Sequence, residues 1–133
     1  MHSLYFVILD NEGIEDSSHA KDKVLQILEE ERFCDCDAFF QSGKADWFLI
    51  GGRWTGILDR VLNKKQEETK PNNNFEGSEN DAKILDEKLF KALKKKFQEV
   101  EIFDVEQRTE ITFESLEKED ALGRWIVVID YHY

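Results

Sequence analysis

The sequence "WIVVIDYHY", residues 125–133, carries the main signal for the predicted fold because it is apolar on both faces of a strand. Successive side chains of a strand point to opposite faces, and here both faces carry β-branched or aromatic residues. The segment "LYFVILD", residues 4–10, has the same character. Strands of this kind must be covered on both faces. We therefore predict that the two segments are neighbouring interior strands of one sheet.

Three helices and two short half-exposed strands are predicted between those segments, because the apolar period changes between helical and alternating spacing. The helices are predicted at residues 20–32, 54–62 and 81–98, and the strands around residues 100–102 and 111–113. Helices and strands do not follow the regular rhythm of a doubly wound sheet. The sequence thus predicts an α+β fold, a mainly antiparallel sheet with helices packed on one face. A ferredoxin-like arrangement is the first expectation.

One domain, residues 1–133, is predicted from the length of the chain. A chain of this size can bury a core without disulfides or a structural metal. Its 41% hydrophobic and 12% aromatic content is typical of a folded globule. Residues 64–80 contain the only proline and clustered asparagines with almost nothing apolar. This composition predicts a mobile loop.

The charge balance restricts the partners. The chain has 29 acidic and 18 basic residues, a formal net charge of −11. Such a surface repels phosphate backbones, so general nucleic-acid binding is not expected, although a local basic pocket could still bind a small anionic ligand. A basic protein is the partner that the charge favours. Simple solubility is the alternative explanation of the same charge, and the oligomeric state is left open.

The amino-terminal sequence has no basic leader, and its apolar run is too short for a signal peptide or a membrane span. We therefore expect a cytoplasmic protein with no membrane contact. The two cysteines, Cys34 and Cys36, are too close in sequence for a mutual disulfide. Asp35 and Asp37 lie beside them, but no CxxC or HxxxH spacing is present. We expect ordinary thiols, no metal and no cofactor.

The segment "DWFLIGGRWTG", residues 46–56, is predicted to join a strand at residues 46–50 to a helix. Glycines allow the backbone to bend and to approach a bound group closely. A helix N-terminus favours negative charge, and Arg53 adds a bidentate donor. The sequence predicts an anion-accepting cleft at Gly51, Gly52 and Arg53. Paired glycines also form plain turns, so a purely structural junction is the alternative.

Strand alternation places Asp130 and His132 on one face of the last strand, about 7 Å apart. The aspartate could orient the imidazole for acid/base chemistry, or both could reach an anion pocket with Arg53. A structural ion pair between Asp130 and Arg53 is the alternative. Trp54 could stack on a ligand, but a buried indole is the more common role of tryptophan.

The residues Ile50 to Trp54 with Gly56, and Asp130 with His132, carry a resemblance. Together with Asp46 they resemble a family of small bacterial and phage proteins of unknown function. That family is marked by an I-G-G-R-W-x-G core and a terminal strand with Asp-x-His. The resemblance covers about a tenth of the chain. It implies where a site lies and implies no reaction.

The sequence is therefore compatible with two functions, and with a plain folded module as the third alternative. The first is a small cytoplasmic, phage-related binding or accessory protein that acts through its acidic surface and the anion-accepting cleft. The second is a small hydrolase or ligand-binding domain that uses Arg53, Asp130 and His132. No G-x-S-x-G motif or complete catalytic set is present, so enzymatic activity is left open. The candidate ligand-binding residues are Gly51, Gly52, Arg53, Trp54, Asp46, Asp130 and His132.

Overall fold

The structure is a computed structural model that describes residues 2–32, 47–62 and 81–132. Six strands and four helices lie in these ranges, together with a 3₁₀ turn at Gly52–Trp54. In chain order the elements are β1 (His2–Leu9), α1 (Ser17–Arg32), β2 (Trp47–Ile50), α2 (Ile57–Arg60), β3 (Ala82–Ile84), α3 (Glu87–Phe97), β4 (Glu101–Asp104), β5 (Thr109–Thr112), α4 (Lys118–Ala121) and β6 (Trp125–His132).

The strands form one sheet in the order β2-β6-β1-β4-β5, and β3 also pairs with β6. β1 and β6 are antiparallel over their whole length, from Leu9 opposite Trp125 to His2 opposite His132. The pairing of β1 with β4 is parallel, and the remaining pairs are antiparallel. The predicted α+β class and the mainly antiparallel sheet are confirmed. The two doubly apolar segments are neighbouring interior strands, as predicted.

One edge of β6 is covered by a strand that is interrupted. Ile50 lies opposite Ile129, and the amide of Gly51 donates to the Val128 carbonyl at 2.8 Å. Ala82 then lies opposite Val127. The chain therefore leaves the sheet edge after Gly51 and returns one position further along β6. β2 and β3 act as one edge strand, and the Gly-Gly-Arg-Trp sequence opens the excursion between them.

Helices cover both faces of the sheet. Phe6 and Ile8 of β1 belong to a core cluster with residues of α2 and α3. Tyr5 and Val7 belong to a second cluster that α1 covers. The prediction that helices pack on one face is wrong, because β1 and β6 are apolar on two faces and each face needs its own cover. For the same reason the ferredoxin-like arrangement is not confirmed.

The observed elements differ in extent from the predicted ones: α1 is longer than predicted, and α2 and α3 are shorter. The helix predicted at residues 20–32 lies within α1, and both short strands are present as β4 and β5. The helix predicted at 81–98 is wrong in its first residues, which form β3 because they pair with β6. α3 begins later, where the Asp86 side chain accepts from the Leu89 amide at 2.7 Å and caps the helix.

Some predictions lie outside the described residues: the loop at residues 64–80, Cys34, Cys36 and Asp46. Among the helices in ranges 2–32, 47–62 and 81–132, none is long and apolar enough to cross a membrane.

Truncation of Leu93 tests whether α3 belongs to the core. Leu93 is fully buried, so Leu93→Ala should lower the free energy of unfolding by about 2–5 kcal/mol through lost burial and a cavity. Leu25 is also helical but is 36% exposed, so Leu25→Ala should change stability by about 0.5 kcal/mol or less. Urea unfolding measures both variants. Equal losses would contradict the described packing of α3.

Candidate functional site

The junction, Gly51–Gly56, has backbone angles that glycine adopts without strain. Gly51, Gly52 and Gly56 have φ values of 77°, 53° and 81°, in the left-handed region where other residues are strained. Gly51 precedes the 3₁₀ turn and Gly56 precedes α2. A Cβ atom on Gly51 would lie 2.8 Å from Cγ of Asp81, and one on Gly52 would lie 2.9 Å from Cγ of Asp130. The glycines therefore serve close packing as well as turning.

Two fully buried carboxylates hold the junction. Oδ2 of Asp130 accepts from the Arg53 amide at 2.9 Å. Oδ2 of Asp81 accepts from the Thr55 hydroxyl at 2.6 Å, and its Oδ1 accepts from the Gly56 amide at 2.7 Å. A buried carboxylate needs such donors, because desolvation without them is costly. Asp130 thus binds the first turn of the excursion and Asp81 binds the second.

The junction amides donate to groups of the protein itself. Besides Arg53 and Gly56, three others have internal acceptors: Gly51 donates to Val128 at 2.8 Å, Trp54 to Gly51 at 2.9 Å and Thr55 to Gly52 at 3.3 Å. The amides of residues 51 and 53–56 therefore already have acceptors within the protein. An anion at the junction would have to be bound mainly through side chains.

The structure brings part of the predicted site together. Gly51, Gly52 and Asp130 are buried side by side, while Arg53 and Trp54 are partly exposed. Trp54 packs against the core cluster, which agrees with its structural alternative. The backbone of His132 pairs with Trp47 and with His2. The hydrogen bond described for Asp130 is to the backbone of Arg53, so this carboxylate positions the junction.

A cavity of about 480 Å³ borders the junction and is called the Trp54 cavity below. It lies at the end of the sheet where β1 and β4 begin and β6 ends. Its lining includes Trp54, Phe97, Leu4, Val100, Glu99 and Glu101, and none of its described lining residues is basic. The cavity beside the Gly-Gly-Arg-Trp sequence therefore carries negative charge, which favours a cation over an anion.

The opposite end of the sheet carries a larger cavity of about 620 Å³, the acidic cleft. Four exposed carboxylates line it: Asp10, Glu106, Glu117 and Asp120. This cleft was not predicted from the sequence, because its residues come from four separate stretches of the chain. A cavity of about 330 Å³ adjoins it and shares Asp10 and Glu106. The sequence signal for this cleft is that a carboxylate follows each of two strands, Asp10 after β1 and Glu106 after β4.

An ion pair lines the acidic cleft. The guanidinium of Arg124 donates to both carboxylate oxygens of Asp104, at 2.7 and 3.2 Å, and these side chains are only 13% and 9% exposed. Burial raises the pKa of Asp104, but the hydrogen bonds and charge of Arg124 and the amides of Glu106 and Gln107 outweigh that effect and lower it. Arg124 is therefore already neutralised within the cleft.

Within residues 2–32, 47–62 and 81–132, no three His, Cys, Asp or Glu residues are grouped to hold a metal ion.

Comparisons with protein-family models, curated proteins and solved structures each found no match to this chain. The likeness to the small bacterial and phage proteins therefore depends on the motif residues alone. The fold and the cavities define an acidic α+β protein with a carboxylate-clamped glycine junction.

Gly52→Ala tests the close approach of Asp130 to the junction. Gly123 is the matched control because it also has a positive φ, 87°, but a Cβ atom there would meet nothing within 4 Å beyond its chain neighbours. Left-handed strain destabilises both variants. Gly52→Ala should lose about 1–3 kcal/mol more in chemical denaturation because its Cβ also overlaps Asp130. Equal losses would contradict the described packing.

The Asp104–Arg124 pair predicts a pH-dependent stability difference. A lowered folded-state pKa stabilises the protein above the unfolded value, near 3.8, and this contribution disappears as the pH falls through the folded value. Asp104→Asn should therefore cost about 3 kcal/mol at neutral pH, and the difference from wild type should shrink below about pH 4. Urea unfolding across this pH range measures it. A constant difference would contradict the role of the charge, and exposed Asp22→Asn is the control.

Proposed function

We propose that this protein is a small binding or accessory protein that recognises a basic segment of another protein through its acidic surface. The acidic cleft is the observation that carries the proposal. Its lining contains five carboxylates and one guanidinium, a formal charge of −4. The guanidinium of Arg124 donates to Asp104, and the other four carboxylates of the lining are exposed, so their charges can attract a basic partner.

The charge of the whole chain supports the same partner. With a net charge of −11, the protein attracts basic surfaces and repels polyanions before contact. Complementary charges of this kind accelerate association and select partners more than they add affinity. The proposal includes a cytoplasmic location, and a role in phage biology depends on the motif resemblance.

The alternative function, a hydrolase or ligand-binding domain using Arg53, Asp130 and His132, has less support. Asp130 is fully buried and accepts from the backbone of Arg53. A general acid or base must instead reach the proton that it transfers. An anion-accepting cleft at the junction is also less favoured, because the cavity beside Trp54 contains Glu99 and Glu101.

An octalysine peptide tests the proposed function by isothermal titration calorimetry, with octaglutamate as the inactive probe. The variant Glu117→Gln/Asp120→Asn removes two cleft charges and should weaken octalysine binding by about tenfold, or 1.4 kcal/mol. The binding should also weaken at higher salt, because the interacting charges are exposed.

Asp22→Asn/Glu114→Gln is the matched control, since both residues are exposed, lie outside the acidic cleft and carry the same total charge. This control should bind octalysine as wild type does. An equal loss in both double variants would show that only net charge matters. That result, or no octalysine binding by wild type, would overturn the proposal.

A further inference from the structure

We propose that the Trp54 cavity binds an arginine side chain presented by a protein partner. The cavity is separate from the acidic cleft and lies at the opposite end of the sheet. The inference therefore goes beyond the proposed function by adding a second contact with its own chemistry. The apolar wall of the cavity, its carboxylates and its place beside the junction support this assignment.

The wall of the cavity is an incompletely covered part of the core. Leu4, Trp54, Phe97 and Val100 all pack against the same buried cluster, and all four remain partly exposed. They also line one cavity together. A contiguous apolar surface of this kind marks a contact site more often than scattered exposed residues do. The aliphatic stem of a long side chain can lie against such a surface.

The rim of the cavity adds charge of one sign. Glu99 and Glu101 line it, and no lysine, arginine or histidine is among its described lining residues. Glu99 is exposed and so can accept from a ligand at the surface. Lys94 of the neighbouring helix is engaged elsewhere, with its ammonium 5.6 Å from the centre of the Phe90 ring. The cavity therefore offers the exposed carboxylate of Glu99 to a cation, and its described lining holds no competing basic residue.

An arginine side chain satisfies both parts of this lining. Its planar guanidinium stacks on aromatic faces and donates to carboxylates in a fork geometry. An anion would be repelled by the charge of Glu99, and a purely apolar ligand would cover this exposed carboxylate without donating to it. A volume of about 480 Å³ is within the usual range for ligand sites and accommodates one long side chain with its neighbouring backbone.

The junction explains why the wall is in place. Trp54 ends the 3₁₀ turn whose second residue, Arg53, donates its amide to Asp130. The buried carboxylate therefore fixes the turn that carries the indole. A preorganised indole loses little conformational freedom when a ligand binds. The glycine junction thus becomes the support of a cation site.

Heteronuclear NMR tests the proposal with short glycine–serine peptides that differ only at a central residue. The probe peptide has arginine there, and the comparison peptides have citrulline, lysine or glutamate. The indole N–H signal of Trp54 is assigned by its loss in Trp54→Phe. The arginine peptide should shift this signal in a saturable manner. The citrulline peptide, which lacks the charge, should bind about tenfold more weakly or worse.

Glu99→Gln should weaken binding of the arginine peptide by up to about fivefold, as expected for an exposed charge pair. Glu114→Gln is the matched control, because Glu114 is exposed, lies outside the cavity and carries the same charge. It should bind as wild type does. The acidic-cleft variant Glu117→Gln/Asp120→Asn should also retain the Trp54 response, so failure of the proposed function is distinguishable from failure of this inference.

Equal affinities for the arginine and citrulline peptides would overturn the inference. An equal loss of arginine-peptide affinity in Glu99→Gln and Glu114→Gln would also overturn it. So would saturable binding of the arginine peptide that leaves the indole N–H signal of Trp54 unshifted. Equal binding of the lysine peptide would overturn the assignment to arginine. N-acetylarginine amide is tested alongside the peptides. If it bound more tightly than the arginine peptide, the site would serve a small guanidinium compound rather than a protein partner.

Discussion

The antiparallel pairing of β1 with β6 is the constraint on which the other elements depend, because both strands are apolar on two faces. Residues such as Phe6 and Val128 must be covered on one side, and Tyr5 and Val127 on the other. α1 covers one face, and α2 and α3 cover the opposite face. Burial on both faces stabilises the sheet through the hydrophobic effect. Because β6 is buried on both faces, its residue Asp130 also has no contact with water.

A buried carboxylate requires donors from the protein, and the excursion between β2 and β3 supplies them. Asp130 accepts from the backbone of Arg53, while Asp81 accepts from Thr55 and Gly56. The first described turn is therefore anchored to β6 through Asp130, and the second is anchored to Asp81, which directly precedes β3. Asp130, one member of the candidate reactive cluster, thus supports the backbone of the junction. Asp130 affects the Trp54 cavity indirectly, because the turn that it anchors contains Trp54, and Trp54 lines the cavity.

The described cavities divide between the two ends of the sheet. Four exposed carboxylates surround the acidic cleft where β1 and β4 end, and Glu99 and Glu101 line the Trp54 cavity where they begin. An eight-residue strand such as β1 spans about 25 Å. A single basic partner that used both sites would need to span a comparable distance. The two sites differ in chemistry, because only the Trp54 cavity combines its carboxylates with an aromatic wall.

The α+β class, the two interior strands and the backbone turn at Gly51 and Gly52 could be predicted from the amino-acid sequence, because periodicity and glycine placement are local signals. The cover of both sheet faces by helices depends on tertiary contacts, and residues 82–84 form a strand because pairing with β6 overrides their helical spacing. Tertiary contacts also bring the Arg53 amide to Asp130 and place Glu99 and Trp54 in one cavity. These contacts join residues distant in the chain, and local propensity carries no information about which distant groups will meet.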